Sequence, residues 1–153
     1  IGVTGVQTCA LPIYPGGDPQ VAAQFSILYA VACALVRRRF ELVDIEEAAA
    51  RDPAIFAQIP KISLKVEPSY SGDRGPVIVK MSTRSHGALE RRCDHVPGSA
   101  EAPLSGDDIA AKLNSCFRLG VAPLSESKVA LLRERVGTLE RIDDMATFFD
   151  GLC

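Results

Sequence analysis

The chain has 153 residues, a formal net charge of -2 and an apolar content of 47%. This length favours one globular domain, and so much apolar sequence favours a folded core over intrinsic disorder. With 17 basic and 19 acidic side chains there is no basic excess, so we expect no nucleic-acid partner. The longest apolar stretch, Phe25 to Val36, is shorter than the about 20 residues that span a bilayer, and we expect no membrane association.

Residues 3–13 read VTGVQTCALPI, which resembles the translation of a common short-read sequencing adapter, found at the ends of metagenomic genes. Segments of that kind are set aside before fold reasoning. We therefore predict that residues 1–13 are an adapter-derived segment that does not pack. On this interpretation residues 14–153 are the C-terminal part of a longer protein. The alternative is a short natural strand followed by a loop.

The first native element is predicted to be one helix from about Val21 to Arg38, after a loop rich in Pro and Gly. The helix is apolar nearly all round, and such a helix needs cover on every side. Because its partner helices would lie upstream, we expect an exposed apolar face in this chain. The arginines at 37, 38 and 39 are interpreted as a solvated helix end.

Two short helices are predicted next, the first capped by Asp44 and the second begun by Asp52 and Pro53. The apolar period then changes from 3.6 to 2, which is typical of strands. Three strands are predicted, over residues 62–66, 77–83 and 89–96. Ser85, His86 and Gly87 form the hairpin turn between the last two.

The C-terminal third carries clear helix punctuation. Ser105 and Asp108 form a capping box, Ser125 caps a second helix, and Asp143 is predicted to cap a last one. The predicted fold class is therefore α+β: a small three-stranded antiparallel or mixed sheet flanked by helices, followed by C-terminal helices.

The five cysteines include no C-x-x-C pair and no Cys/His pair at zinc spacing. We therefore expect no metal site and reduced thiols, as in a cytoplasmic protein. Cys93 and Cys116 are interpreted as small core residues. His86 and His95 are interpreted as surface histidines, because neither has a Ser, Cys or carboxylate at a telling spacing.

The order of several motifs resembles the MmgE/PrpD family, which includes 2-methylcitrate dehydratases and cis-aconitate decarboxylases. The motifs are the F-S-x-x-Y helix at 25–29, the acidic stretch at 44–47, R-D-P at 51–53, the strands at 62–68 and 77–83, P-L-S-x-x-D-I-x-x-K-L at 103–113, and L-E-x-x-D-D at 139–144. Family members have a large helical domain and a smaller, lid-like α+β domain. The resemblance implies that this chain, from Tyr14 to Leu152, is the lid-like domain with the C-terminal helices.

The resemblance implies a lyase that needs no cofactor and acts on a tricarboxylate-like substrate such as 2-methylcitrate or cis-aconitate, as in propionate metabolism. It also implies a cytoplasmic homodimer for the full-length protein. Most residues of the family's chemistry lie in the helical domain, so we expect this chain alone to be inactive. The alternative is a non-catalytic α+β binding or dimerisation module.

Two side chains match the family's F-S-x-x-Y helix. Tyr29 is predicted as a catalytic residue, because a phenol beside a polycarboxylate can donate a hydrogen bond or relay a proton. The alternative is a core tyrosine whose hydroxyl binds a backbone carbonyl. Ser26 is a weaker candidate for substrate binding, and its alternative is a hydroxyl bonded back to the helix. Relatives usually carry an acidic residue at position 22 and a glycine near Arg38 or Arg39, and this chain has neither.

Overall fold

The structure, a computed structural model, describes residues 2–4, 18–65 and 76–152. The chain divides into two compact units, Ile1–Ala102 and Pro103–Cys153. The first unit combines helices with a small sheet and the second is helical, so the predicted α+β class is confirmed.

The predicted helix from Val21 to Arg38 is two helices, α1 (Pro19–Phe25) and α2 (Ile27–Arg37), with an angle of 89° between them. Its prediction as one helix was wrong because Ser26 has an extended backbone, with φ -99° and ψ 112°, and acts as the N-cap of α2. A serine hydroxyl that accepts from the following turn starts a new helix even inside an apolar run. In the described part of the chain no single helix is long and apolar enough to cross a bilayer, and α1 and α2 reach that length only together, across their bend.

Short helical segments connect α2 to the sheet. They are a 3-10 turn at Leu42–Ile45, α3 (Glu47–Ala50), α4 (Pro53–Phe56) and a 3-10 turn at Ile59–Lys61. Asp52 caps α4 with Pro53 in its first turn, as predicted. Asp44 instead lies inside the preceding 3-10 turn, where its carboxylate accepts from the backbone of Glu41 in a reciprocal capping box.

The sheet contains the three predicted strands and one more. The last strand covers residues 87–93 where 89–96 was predicted, and residue 66 of the first predicted strand lies outside the described residues. The strands are β1 (Gly2–Thr4), β2 (Ser63–Lys65), β3 (Val77–Thr83) and β4 (Gly87–Cys93), in the order β2-β1-β3-β4. β1 runs parallel to β2 and antiparallel to β3. The prediction that residues 1–13 do not pack was therefore wrong for Gly2–Thr4. Ladder hydrogen bonds are made by the backbone, so a tripeptide of any origin can fill a position between two strands.

β3 and β4 form a regular hairpin, in register from Thr83 opposite Gly87 to Val77 opposite Cys93. Gly87 has φ 65°, as predicted for the residue that closes the turn. All seven residues of β4 are exposed. Cys93 was predicted to be a core residue, and this was wrong because β4 has no cover on either face from the described residues.

The core of the first unit lies between α1, α2, α4 and the sheet. Its buried members are Ala23, Tyr29, Ala32, Cys33, Ala50, Ile55 and Ile62. Leu64, Val77 and Val79 pack against it from the strands. Phe25 and Val36 are exposed, which agrees with the apolar face expected for this helical region.

The second unit consists of α5 (Gly106–Arg118), α6 (Glu126–Gly137) and two 3-10 segments, Leu139–Arg141 and Met145–Phe149. The capping box of Ser105 with Asp108 and the Ser125 cap are confirmed. The last segment is capped by Asp144, one residue after the predicted Asp143, because the Asp144 carboxylate accepts from the Ala146 N–H. α5 has no buried residue, so Cys116 is exposed and its prediction as a core residue was wrong.

Candidate functional site

Tyr29 lies in the first turn of α2 and its side chain is buried. Its hydroxyl oxygen is 2.7 Å from the carbonyl oxygen of Asp44 and 3.0 Å from that of Ala49. The single phenolic proton is donated to this pair of carbonyls, which come from two segments that are separate in sequence. Burial, followed by the neighbouring Cys33 thiol, raises the pKa of Tyr29 to about 12, so the hydroxyl stays protonated at neutral pH.

The Tyr29 ring lies between two other aromatic rings. The centroid of Phe40 is 6.2 Å away in an edge-on arrangement, and that of Phe56 is 6.3 Å away in a tilted one. Both distances are in the range of favourable aromatic pairs. Phe40 and Phe56 are each about two-fifths exposed, so they cover Tyr29 and present their own outer surfaces to solvent.

Asp44 is the most deeply buried charged residue of this region, with no exposed side-chain area. Its Oδ1 lies 2.7 Å from Nη1 of Arg37, and its Oδ2 accepts from the Glu41 N–H at 2.9 Å and lies 3.6 Å from Nε of Arg39. Burial alone would raise the pKa of this carboxyl. The hydrogen bonds from Arg37 and Glu41 and the charge of Arg39 outweigh it, so the pKa of Asp44 is lowered.

Arg37 connects Asp44 to a second carboxylate. Its Nη2 lies 3.0 Å from Oδ2 of Asp52, the N-cap of α4. The hydrogen bond from Arg37 is the main reason that the pKa of Asp52 is lowered. We call Arg37, Arg39, Asp44 and Asp52 the arginine–aspartate cluster. It ties the end of α2 to the 3-10 turn and to α4, directly beside the carbonyl that Tyr29 binds.

The interpretation of the arginine triple as a solvated helix end was wrong for Arg37, which is only about a quarter exposed and pairs with two carboxylates. The sequence reasoning missed this cluster. Asp44 and Asp52 follow Arg37 by 7 and 15 residues along the chain, and these separations match no local motif. The only available signal was the presence of Arg and Asp residues on either side of a short apolar segment.

Ser26 is buried, and its hydroxyl accepts from the Tyr29 N–H at 3.1 Å. The structure therefore brings the two predicted site residues together through the backbone of Tyr29. This bond fits the alternative given above for Ser26, a hydroxyl bonded to its own helix. The Ser26 hydroxyl stabilises the bend between α1 and α2, and the Tyr29 hydroxyl stabilises the packing of α2 against the following turns.

The remaining candidates do not join this site. Ser85 and His86 contact each other on the exposed hairpin turn, with Oγ 2.7 Å from Nδ1. His95 lies beyond the end of β4 and is exposed, which agrees with the interpretation of both histidines as surface residues. Cys33 is buried in the core, and burial raises the pKa of its thiol. Residues 2–4, 18–65 and 76–152 contain no group of three His, Cys, Asp or Glu side chains that could hold a metal ion.

Every buried polar side-chain atom of the described residues has a hydrogen-bond partner. The arrangement around Tyr29 is therefore a closed network that fixes backbone segments. A hydroxyl engaged by two carbonyls and kept protonated is suited to holding those segments in place.

A family model of the MmgE/PrpD C-terminal domain matches residues 9–136, most of the chain. This chain therefore belongs to the MmgE/PrpD family and contains its C-terminal domain. Comparison with individual curated proteins gave no match.

Proposed function

We propose that this chain is the C-terminal domain of a lyase that needs no cofactor. The reaction is dehydration or decarboxylation of a tricarboxylate-like substrate such as 2-methylcitrate or cis-aconitate. The match to the family's C-terminal domain over residues 9–136 carries this proposal. The proposal includes a small polycarboxylate as substrate, a homodimer for the full-length protein and a cytoplasmic location.

In this proposal the chain supplies a rigid surface and the helical domain supplies the acid and base groups. The Ser26 cap holds the bend between α1 and α2, and the arginine–aspartate cluster and the Tyr29 bonds hold α2 against the segments that follow it. Phe25 ends α1, and Phe40 and Phe56 contact the Tyr29 ring, so this framework carries all three exposed rings. Apolar surface held in this way fits the packing of one domain against another.

Tyr29 is the one residue of the chain for which the family resemblance implies catalysis, and that role stays a prediction. Its two carbonyl partners support the alternative of a core tyrosine. They also favour the second candidate function, a non-catalytic binding module, for the chain on its own.

The experiment is a domain exchange. The full chain, which includes β1, replaces the C-terminal domain of a 2-methylcitrate dehydratase, and turnover of 2-methylcitrate, citrate and cis-aconitate is measured. We expect turnover in the exchanged protein and none in the 153-residue chain alone. The matched control is the same exchanged protein with the single substitution Asp44→Asn, which weakens the domain. A folded exchange protein without activity on any of the three acids would contradict the proposal.

A further inference from the structure

β4 lies at one end of the strand order, and among the described strands it pairs only with β3. The ladder between them has no break in register over seven residue pairs, and every residue of β4 is exposed. A regular edge strand of this length is a template for pairing with another strand.

The side chains of β4 restrict which strand can pair there. Natural edge strands are commonly protected by charge, and β4 carries Glu90, Arg91 and Arg92 in succession. An uncharged strand would add no opposite charge across the new ladder, and a uniformly charged strand would repel either Glu90 or the two arginines. The sequence of β4 is, however, complementary to itself in one antiparallel register.

That register is centred on Arg91. Two copies related by a two-fold axis perpendicular to the sheet place residues of equal parity opposite each other on the same face. Glu90 of each copy then faces Arg92 of the other, which gives two opposite-charge pairs. On the other face Leu89, which is 45% exposed, faces Cys93 of the second copy.

The neighbouring register, centred on Glu90, is much less favourable. It places Glu90 against its own copy, Leu89 against Arg91 and Ala88 against Arg92, so it has a like-charge contact and no opposite-charge pair to offset it. The register centred on Arg91 has one like-charge contact, between the two copies of Arg91 at the axis. Within the chain Glu90 pairs with Lys80, and Arg92 pairs with Asp94. Both ion pairs are exposed and therefore weak, so they do not prevent Glu90 and Arg92 from pairing with the second copy.

We infer that the edge of β4 that no described strand pairs with is a docking surface for a second copy of this chain. Two β4 strands pair antiparallel about Arg91 and join the two sheets into one. This inference does not depend on the lyase chemistry, and it assigns a surface to the homodimer.

The first test changes the charges of the 153-residue chain and measures its mass by light scattering and its dimer affinity by sedimentation. Glu90→Arg places three arginines in a row on each strand and is expected to weaken dimerisation about tenfold or more. Adding Arg92→Glu restores opposite charges in the same register and is expected to restore the dimer. Lys80→Ala, which removes only the pair within the chain, should leave the affinity unchanged. Circular dichroism shows whether each variant is folded.

The second test fixes the register by cross-linking. All cysteines but the buried Cys33 are first changed to serine. In this background Arg91→Cys is expected to give a disulfide-linked dimer on mild oxidation. Glu90→Cys is not, because residues diagonal to each other across an antiparallel pair lie about 7–8 Å apart, outside disulfide reach. A monomer up to millimolar concentration, a dimer indifferent to the charge changes, or cross-linking at Glu90 in place of Arg91 would overturn the inference.

Discussion

The helical region at 18–65 and the second unit at 103–152 reach stability in different ways. The first buries Ala32, Cys33, Asp44 and Ile55 completely. In the second the buried residues are Val129, Phe148 and Leu152, and α5 contributes none. Apolar side chains of α5, α6 and the following segments remain exposed, among them Ile109, Val136, Met145 and Phe149.

The polar contacts of the two regions differ in the same way. The first region also has local contacts, but some of its buried contacts join residues 15 or 20 apart, as between Tyr29 and the carbonyls of Asp44 and Ala49. In the second most join residues two to four apart, as in the box of Ser105 with Asp108. One exception is Arg135, which donates to the carbonyl of Phe148. The first region therefore depends on a few buried long-range bonds and the second on many local ones.

The largest effect is expected for Asp44→Asn. The amide keeps the shape but leaves the Arg37 guanidinium with one carboxylate partner in a buried setting. Breaking a buried ion pair from one side is strongly destabilising, and we expect a loss of about 3 kcal/mol in the free energy of unfolding. Urea denaturation measures it. Asp108→Asn, at an exposed capping box of the second unit, is the control and should cost much less.

Tyr29→Phe is expected to have the next largest effect. It removes the hydroxyl, so the Asp44 carbonyl loses this buried hydrogen bond, while the Ala49 carbonyl still accepts from the Asp52 N–H, and we expect a cost of about 1–2 kcal/mol. The matched control is Thr138→Val, which removes a hydroxyl bonded to the Glu134 carbonyl at an exposed position. Equal losses in the two variants would show that burial of the Tyr29 bonds contributes nothing to stability.

A smaller effect of opposite sign is expected for Arg38→Gly. Arg38 has φ 61°, in the left-handed region, where a side chain costs about 1 kcal/mol relative to glycine. We therefore expect Arg38→Gly to raise the melting midpoint. Arg39→Gly is the control: Arg39 is not at positive φ and contacts Asp44, so its loss should lower the midpoint.

The smallest effect is the dependence of stability on pH. The pKa of Asp44 is lower in the folded chain than in the unfolded one, so its ionised form stabilises the fold above the ordinary pKa of about 3.9. This contribution is lost as the pH falls from about 4 through the folded pKa, because the carboxyl then takes up a proton. Denaturation at pH 6 and pH 3 should show a larger decrease for the natural chain than for Asp44→Asn. Parallel decreases would assign the acid sensitivity to other carboxyls.

The sequence predicted the structural features that residues close together in the chain determine. The caps at Asp52, Ser105 and Ser125, the three strands and the Gly87 turn depend on residues a few positions apart, and the structure confirms them. The bend at Ser26 was not predicted, because an apolar run favours one helix and the cap competes with it only once α1 and α2 have separate packing partners.

The sequence predicted less of the candidate site than of the fold. Ser26 and Tyr29 were chosen from a family motif, whereas their bonding partners come from segments that only the folded chain brings close. The role of Arg37 depends on two aspartates at separations that no periodicity shows. Long-range polar bonds of this kind follow from tertiary packing, and residue spacing alone does not reveal them.

Amide hydrogen exchange tests the contrast between the two regions most directly. Because opening free energies follow burial, the amides of α2 around Ala32 and Cys33 should exchange far more slowly than those of α5 around Leu113 and Cys116. In Asp44→Asn the protection of α2 should fall and that of α5 should stay the same. Equal protection of α2 and α5 in the natural chain, or an equal loss in both helices of the variant, would contradict the account.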